Sequence, residues 1–282
     1  MNVSQLPQDQ FTHIDFVNTR YWTIGDNETP LILVHGLGGY AENWMYNVSV
    51  LAKHFKIYVL DLVGFGKSDK PEALYTYDYF ARFVHDFMEK MHIEKAHLIG
   101  HSLGGGIVLQ FALKYPEKVK KLVIVASSGL GKKASMIHRI TSLPIIGKYL
   151  TKPSQKGISR LYESMVYNKE VITEEMVELG YQMFALPGAQ KVYLSTTRAA
   201  INFFGQKQKA INPIRHNLQL IESPVMVIWG QQDKILPLSH AYIAKKQIKN
   251  VIPHLFDQCG HLPMVEHPEE FNISVDQFLV NQ

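Results

Sequence analysis

The sequence predicts an α/β fold with a mostly parallel, doubly wound sheet and a helical insertion. Short apolar runs rich in β-branched residues alternate with helix-like segments along most of the chain, as expected for buried parallel strands joined by helices. Between residues 130 and 214 the alternation stops and only helical spacing is found. With 282 residues, the chain can form one large domain that carries such an insertion.

The predicted parallel strands share short length and apolar, β-branched composition. They lie at 31–34, 57–60, 96–99, 122–125, 225–229 and 251–256. Before them, residues 13–18 and 19–24 indicate an antiparallel hairpin at one edge of the sheet. Flanking helices are predicted at 79–91 and 105–115, and an amphipathic helix at 268–279 closes the fold.

Residues 130–214 are predicted to form a helical cap, or lid, that divides the core into a first part, 1–129, and a second part, 215–282. Its predicted helices lie at 137–140, 158–166, 173–184 and 193–204. Thr173 precedes two glutamates and stands at an N-cap position, which supports a helix start there. Three prolines are predicted to break the insertion into pieces, namely Pro153, Pro187 and Pro213.

The insertion also carries a flexible apolar face of methionine and phenylalanine side chains. Its members are Met136, Met165, Met176, Met183, Phe184, Phe203 and Phe204. Such side chains usually pack in a core, and we expect some of them to line a cleft beneath the cap. An apolar cleft fits acyl chains without fixing their length.

Composition and charge favour a cytoplasmic enzyme. Hydrophobic residues make up 46% and charged residues 19% of the chain, no apolar run reaches bilayer length, and the polar first ten residues do not resemble a signal peptide. The net charge of +4 comes with scattered lysines, which argues against nucleic-acid binding. The lysines between 132 and 156 would favour an anionic lipid surface or an acidic substrate only if the fold gathered them into one patch.

The strongest chemical motif is Gly100-His101-Ser102-Leu103-Gly104, between a predicted strand and a predicted helix. This spacing predicts a nucleophile elbow, in which a serine occupies a strained turn and its hydroxyl points out of the sheet. The flanking glycines remove side chains that would otherwise clash across the turn. Ser102 is therefore the predicted nucleophile.

A serine hydroxyl needs a base and a group that orients the base. His261 follows the last predicted strand, and Gly260 allows the loop to turn its imidazole inward. Asp233 follows the strand at 225–229 and completes the order nucleophile, acid, base. Two other acids are interpreted as structural. Asp61 follows an earlier strand and is expected to stabilise a turn, and Asp257 lies too close to His261 along the chain to orient it.

Two backbone amides are predicted to stabilise the oxyanion that forms during attack on an ester. One is Leu103 N–H, directly after the nucleophile, and the other is Leu37 N–H in the glycine-rich loop that follows the strand at 31–34. His35 is expected to brace this loop. The loop has no lysine followed by serine or threonine, so it is not a P-loop.

Neither a metal nor a cofactor is required by this chemistry. The remaining histidines show no HExxH spacing and no ligand set nearby. The single cysteine, Cys259, cannot form an internal disulfide and cannot by itself make a thiolate metal site. We interpret it as a packing residue.

These motifs together resemble the α/β-hydrolase superfamily across nearly the whole chain. The resemblance implies that superfamily's fold and a Ser-Asp-His mechanism. Residues 161–175 look like the lid of meta-cleavage-product hydrolases and related carboxylesterases. Carbon–carbon hydrolases of that group usually carry asparagine before the nucleophile and tryptophan after the catalytic histidine, whereas this chain has His101 and Leu262. Haloalkane dehalogenases and epoxide hydrolases of this fold use an aspartate nucleophile. This chain has Ser102 at that position, which argues against both activities.

The sequence therefore predicts a serine carboxylesterase that cleaves esters of small or medium apolar acyl groups through an acyl-enzyme. The alternatives are a carbon–carbon bond hydrolase of the meta-cleavage-product type and a receptor that uses the lidded pocket for binding. The predicted catalytic residues also resemble those of thioesterases, lactonases, monoacylglycerol lipases and cofactor-free haloperoxidases. The expected partner is a small-molecule ester, and the oligomeric state stays open.

Overall fold

A computed structural model describes residues 6–281, which form an eight-stranded sheet flanked by helices and a separate two-stranded hairpin. The strands are β1 (Gln10–Ile14), β2 (Val17–Ile24), β3 (Pro30–Val34), β4 (Lys56–Leu60), β5 (Ala96–His101), β6 (Val119–Val125), β7 (Ile201–Asn202), β8 (Gly205–Gln206), β9 (Val225–Gly230) and β10 (Val251–Phe256). The helices before β7 are α1 (Val48–Leu51), α2 (Tyr77–Lys90), α3 (Leu103–Lys114), α4 (Met136–Thr141), α5 (Pro144–Leu150), α6 (Gln155–Met165), α7 (Glu174–Ala185) and α8 (Ala189–Ala200). Those after β8 are α9 (Gln208–Arg215), α10 (Ser239–Gln247), α11 (Pro263–Glu266) and α12 (Pro268–Val280).

The main sheet has eight strands in the order β1-β2-β4-β3-β5-β6-β9-β10. Within this sheet, the six neighbouring strands β4, β3, β5, β6, β9 and β10 pair in parallel, and β2 pairs with β4 antiparallel. Side chains of β3 alternate between the two faces: Ile32 and Val34 belong to one core cluster, and Leu31 and Leu33 belong to the other. The sheet is therefore buried on both faces, which explains why its strands are continuous apolar runs and confirms the predicted mostly parallel α/β fold.

The edge hairpin lies where it was expected, but the predicted turn was wrong. The chain reverses at Asp15 and Phe16, so that His13 pairs with Asn18 instead of sharing a strand with it. Asp15 has φ of 50°, a left-handed conformation that aspartate tolerates better than most residues. The β-favouring residues that follow the turn belong to one continuous strand, β2.

Six helices and a small hairpin lie between β6 and β9. Thr173 caps α7, where its side chain accepts a hydrogen bond of 3.2 Å from Met176 N–H. Pro153 and Pro187 lie between helices as predicted, but Pro213 lies inside α9, so its prediction as a breaker was wrong. The helix expected at 193–204 ends at Ala200, because the chain turns into the β7–β8 hairpin, where Gly205 has φ of 112°.

No helix within residues 6–281 is both long enough and apolar enough to cross a membrane.

Candidate active site

Ser102 occupies a sharp turn between β5 and α3. Its φ of 54° and ψ of −113° lie in a strained region for a residue with a side chain. A Cβ on Gly100 would lie 2.3 Å from the carbonyl oxygen of Gly104, and a Cβ on Gly104 would lie 2.3 Å from that of Val34. Both glycines are therefore required by the close approach of backbone segments, as the elbow motif predicted.

Asp233 and His261 meet at the carboxyl ends of β9 and β10. His261 donates from Nδ1 to Oδ2 of Asp233 over 2.8 Å, and both side chains are buried. The other carboxylate oxygen, Oδ1, accepts backbone N–H groups of Ile235 at 2.7 Å and Leu236 at 2.9 Å. These bonds fix the carboxylate and leave the second ring nitrogen of His261 to act on a reacting group.

The loop that carries His261 is held from both sides. His261 N–H donates to the carbonyl of Met165 at the end of α6 over 2.6 Å, and the carbonyl of His261 accepts Nε2–H of His101 over 2.9 Å. A Cβ on Gly260 would lie 2.4 Å from the same Met165 oxygen. Burial together with the neighbouring His261 ring lowers the pKa of His101 well below its usual value, so His101 is a neutral brace.

The two predicted oxyanion donors flank the elbow. Among the described residues, neither Leu37 N–H nor Leu103 N–H donates to a protein acceptor. Leu37 lies in the loop after β3, and Leu103 is the first residue of α3, where backbone N–H groups are left free by the helix. Gly36 brings this loop close to the nucleophile, since a Cβ on it would lie 3.1 Å from Cβ of Ser102.

His35 holds the start of this loop. Its Nε2 accepts N–H of Leu62 over 3.0 Å, so Nδ1 carries the proton and donates to the carbonyl of Gly36 over 2.8 Å. Burial lowers the pKa of His35 to about 4, and the ring therefore stays neutral at pH 7. Neutral His35 can make both bonds at once, whereas a protonated ring would have to give up the bond from Leu62.

The end of the loop is fixed by a buried cluster of charges. Asp61 accepts N–H of Ala41 over 2.7 Å and N–H of Lys67 over 2.8 Å. Arg20 donates to Asp61 over 3.1 Å and to both carboxylate oxygens of Glu42. This cluster gives Asp61 the structural role expected of it. The exposed Asp257 binds the side chain of Gln232 instead.

Ser102 and His261 both line a large, mostly apolar cavity of about 1020 Å³, measured with its open mouth. No hydrogen bond joins their side chains within the described residues, and such contacts often form only when a substrate is bound. The lining of this cavity comprises Gly36, Leu37, Gly38, Gly39, Tyr40, Glu42, Asn43, Met45, Tyr46, His101, Ser102, His138, Ile158, Leu161, Tyr162, Met165, Met176, Leu179, Gly180, Phe184, Tyr193, Ile235, His261, Leu262, Met264 and Val265.

A smaller cavity of about 460 Å³ approaches Ser102 from another side. The two cavities share the lining residues Leu37, Ser102, His138 and Ile235. The serine thus stands where two spaces meet, as is needed for a substrate with groups on both sides of a scissile bond. Neither lining includes a lysine or an arginine, within residues 6–281.

His138 is a site residue that the sequence did not reveal. It lies in α4, and its Nδ1 is 2.7 Å from Oγ of Ser135. The same oxygen accepts N–H of His138 as the cap of the helix. Burial lowers the pKa of His138 to about 4. A neutral imidazole, which carries one N–H donor and one acceptor, therefore lines both cavities.

The apolar face predicted for the insertion divides between the site and the surface. Met165, Met176 and Phe184 line the larger cavity, as expected of some of its members. Met183 is buried, whereas Met136, Phe203 and Phe204 are exposed. Cys259 is fully buried, and both burial and the neighbouring Glu266 raise the pKa of its thiol. Within residues 6–281, no three His, Cys, Asp or Glu side chains are grouped so as to hold a metal ion.

Residues 29–268 match the family model described as the alpha/beta hydrolase fold. The chain is 30% identical over 275 residues to 2-hydroxy-6-oxo-6-(2'-aminophenyl)hexa-2,4-dienoic acid hydrolase of Metapseudomonas resinovorans, across 96% of this chain and 90% of that protein. Its fold is similar to the meta-cleavage product hydrolase of Pseudomonas fluorescens IP01, with a TM-score of 0.81, 26% identity and coverage of 95% and 96%. It is also similar to a bacterial membrane phospholipase A, with a TM-score of 0.83, 25% identity and coverage of 96% and 85%.

Proposed function

The chain belongs to the α/β-hydrolase family, and from this membership we propose that it hydrolyses carboxylic esters of apolar acyl groups with Ser102 as nucleophile. Asp233, His261 and the two free amides are the other parts of the proposed machinery. The helices between β6 and β9 serve as its cap, because they contribute much of the larger cavity lining.

The proposed reaction has two halves. In the first, Ser102 Oγ attacks the ester carbonyl carbon while His261 Nε2 takes the hydroxyl proton, and Asp233 stabilises the resulting imidazolium. The oxyanion is held by N–H of Leu37 and Leu103 until the carbon–oxygen bond breaks and the alcohol leaves with the proton from His261. In the second half, His261 takes a proton from the water that attacks the acyl-enzyme. It then returns this proton to Ser102 Oγ as the acyl carbon–oxygen bond breaks, which releases the carboxylic acid and free serine.

The observation that carries ester hydrolysis is that the described lining around Ser102 contains no cationic side chain. Neither cavity has a lysine or arginine among its described lining residues, and Glu42 is the only carboxylate among them. A neutral acyl or alkyl group can enter such a space at no electrostatic cost, whereas a carboxylate would lose its hydration without gaining a cation. A neutral ester therefore fits better than an anionic substrate.

A second candidate is carbon–carbon bond hydrolysis, which the names of the related dienoic acid hydrolase and the meta-cleavage product hydrolase favour. A dienoic acid carries a carboxylate, for which the cavity linings offer no cation within the described chain. His101 and Leu262 also stand where that group usually has asparagine and tryptophan. We therefore rank this activity second.

The test compares p-nitrophenyl esters of increasing acyl length with a ring-fission dienoate, using the wild-type protein and Ser102→Ala. We expect ester turnover that falls by about a thousandfold or more in Ser102→Ala, and labelling of the wild type by an active-site phosphonate. Ser164→Ala, on the exposed side of α6, is the matched control and should keep full activity. Turnover of the dienoate but of no ester would replace this proposal with the second candidate.

A further inference from the structure

The outer surface of α4, α5 and the β7–β8 turn combines exposed apolar side chains with an excess of positive charge. We call this surface the α4–α5 face. Its large exposed apolar residues are Met136, Ile137, Ile145, Ile146, Tyr149, Leu150, Phe203 and Phe204. Ile145, Phe204 and Tyr149 are 85%, 73% and 72% exposed. Contiguous exposed apolar groups of this kind usually mark an interaction site, since isolated ones are common but patches are not.

The charge of the α4–α5 face is of one sign. Residues 118–162 contain no aspartate or glutamate, and neither do residues 186–221. The cations of the face are Lys132, Lys133, Arg139, Lys148 and Lys152. All of these except the half-buried Arg139 are exposed. An anionic partner would therefore meet no repulsive charge from these segments.

The fold gathers these residues into one patch. Arg139 donates from Nε to the carbonyl of Phe203 over 2.6 Å, which joins α4 to the β7–β8 turn. Arg198 of α8 donates to the carbonyl of Pro144 over 3.0 Å, which fixes the start of α5. Nζ of Lys152 lies over the ring of Tyr149, 5.3 Å from the ring centre. Helix α4 packs against both α5 and β7, so the residues of these three elements lie next to one another, which their spacing along the sequence left open.

A surface groove lies within the patch. Its lining includes four cations, Lys132, Lys133, Arg139 and Lys234, and the exposed ring of Phe204. The one carboxylate among its described lining residues, Asp233, has its side chain buried in the bond to His261. Cationic side chains next to exposed aromatic and aliphatic side chains suit a phosphate headgroup lying beside acyl chains. They suit an acidic protein less well, because such a partner offers carboxylates to the cations but no acyl-chain region for side chains as exposed as those of Ile145 and Phe204.

We propose that the α4–α5 face binds the surface of an anionic phospholipid bilayer. The apolar side chains enter the interface between headgroups and acyl chains, and the lysines and arginine pair with the anionic headgroups. The inner side of α4 carries His138 at the junction of the two cavities, so a bound bilayer lies against an element of the proposed active site. Binding itself does not depend on hydrolysis.

The test measures co-sedimentation of the full chain with vesicles of phosphatidylcholine, with and without phosphatidylglycerol. We expect binding to the anionic vesicles that is at least about tenfold stronger than to the neutral ones and weakens at high salt. The triple variant Ile145→Ser, Tyr149→Ser, Phe204→Ser should lose about tenfold or more of this binding. The double variant Lys148→Glu, Lys152→Glu should lose the preference for phosphatidylglycerol.

The control replaces three exposed apolar residues outside the α4–α5 face, as Phe16→Ser, Ile252→Ser, Ile273→Ser, and should bind like the wild type. Circular dichroism and turnover of a soluble short-chain ester show that each variant is folded. Absence of binding, or equal binding to both vesicle types, overturns the proposal. So does a concentration-dependent dimer that the triple variant abolishes, because the face would then serve a second copy. Vesicle binding without ester turnover would refute the proposed function alone.

Discussion

At the scale of single residues, the strain at Ser102 is maintained by neighbours that have no side chains. Gly100 and Gly104 bring β5, α3 and the carboxyl end of β3 so close that any Cβ between them would overlap a backbone oxygen. The elbow is therefore fixed by backbone contacts in the core, and substrate is not needed to form it.

Gly104→Ala should be one of the more destabilising small substitutions in the chain. Its Cβ would lie 2.3 Å from the carbonyl oxygen of Val34 and 2.6 Å from that of His35. We expect a loss of about 2 kcal/mol or more in the free energy of unfolding, with a matching loss of ester turnover as the Leu37 loop moves. Urea unfolding measures the first and a p-nitrophenyl ester the second.

Gly157→Ala in α6 serves as the control, because the added Cβ would meet only the movable hydroxyl of Ser154. Equal stability of the two alanine variants would show that the core relaxes around the elbow.

His138 should determine which substrates are accepted without taking part in the chemistry. His138→Leu removes an N–H donor at the cavity junction, so we expect KM to rise about tenfold for esters with a hydrogen-bond acceptor near the scissile bond. The value of kcat should stay the same, and wholly apolar esters should be unaffected. His138→Gln keeps a donor and should restore part of the affinity. An equal loss for every ester would mean that His138 only supports the fold of α4.

The difference between Ser102 and His138 shows what the sequence can and cannot reveal about this site. Ser102 has the glycine-flanked elbow motif, and Asp233 and His261 each follow a strand in the order acid, base, so motif, order and strand position together predicted that the three lie close to one another. His138 lies in a short helix with no motif around it. Its place beside Ser102 depends on how α4 packs over the sheet, and no local pattern encodes that packing.

At the scale of elements, the charge cluster around Arg20 joins β2, the end of β4 and the loop that carries Leu37. Arg20 is 1% exposed and Asp61 is fully buried. Burial raises the pKa of Asp61, although the nearby Arg20 opposes this effect. The bonds to Asp9 from Lys67, Arg20 and Trp22 outweigh the effect of its own partial burial and lower the pKa of Asp9 to about 2.

Arg20→Met should destabilise the fold by about 3–5 kcal/mol, because it leaves the buried carboxylates without a cation. Arg20→Lys should cost less, since it keeps the charge but loses the paired bonds to Glu42. Chemical denaturation of the two variants measures both losses. Removing an exposed cation in Lys114→Met should change the stability by no more than about 1 kcal/mol. A neutral effect of Arg20→Met would mean that the buried carboxylates do not need this cation.

Elements with two buried faces were the easiest to predict. Strands β3, β5, β6 and β9 are apolar runs because both of their faces are covered, so they stood out in the sequence. The hairpin turn was misplaced because Asp15 resembles any other polar residue until its backbone is seen. Pro213 was misjudged because the loss of one hydrogen bond in a short helix is compensated by packing of Ile211 and Ile214 in the core.

At the scale of the whole molecule, buried neutral histidines make stability depend on pH. Burial lowers the pKa of three of them, His35, His97 and His240, to about 4. In the unfolded chain these rings titrate near the ordinary value of about 6.5. Between these two values the unfolded state binds more protons than the folded state, so the free energy of unfolding decreases as the pH falls from about 6.5 to about 4.

A single remote histidine tests this dependence. His97 lies in β5, away from both cavities, and packs edge-on against Phe55. We expect His97→Phe to remove roughly 1–2 kcal/mol of the destabilisation seen at pH 5 relative to pH 7. Thermal unfolding at several pH values measures this slope. His13→Gln, on the exposed edge strand, is the control, and an unchanged slope in His97→Phe would contradict the expectation.

The place where the chain leaves and re-enters the sheet also affects how such a protein can change over evolutionary time. Strands β6 and β9 are direct neighbours, paired from Leu122 with Val225 to Val125 with Ile228. Everything between them starts and finishes at adjacent strands, so residues can be gained, lost or exchanged there without altering the register of any pair. Ser102, Asp233 and His261 all lie outside that stretch. Ancestors of this chain could therefore acquire new substrates, or a new surface to work on, while the reacting groups stayed where they were.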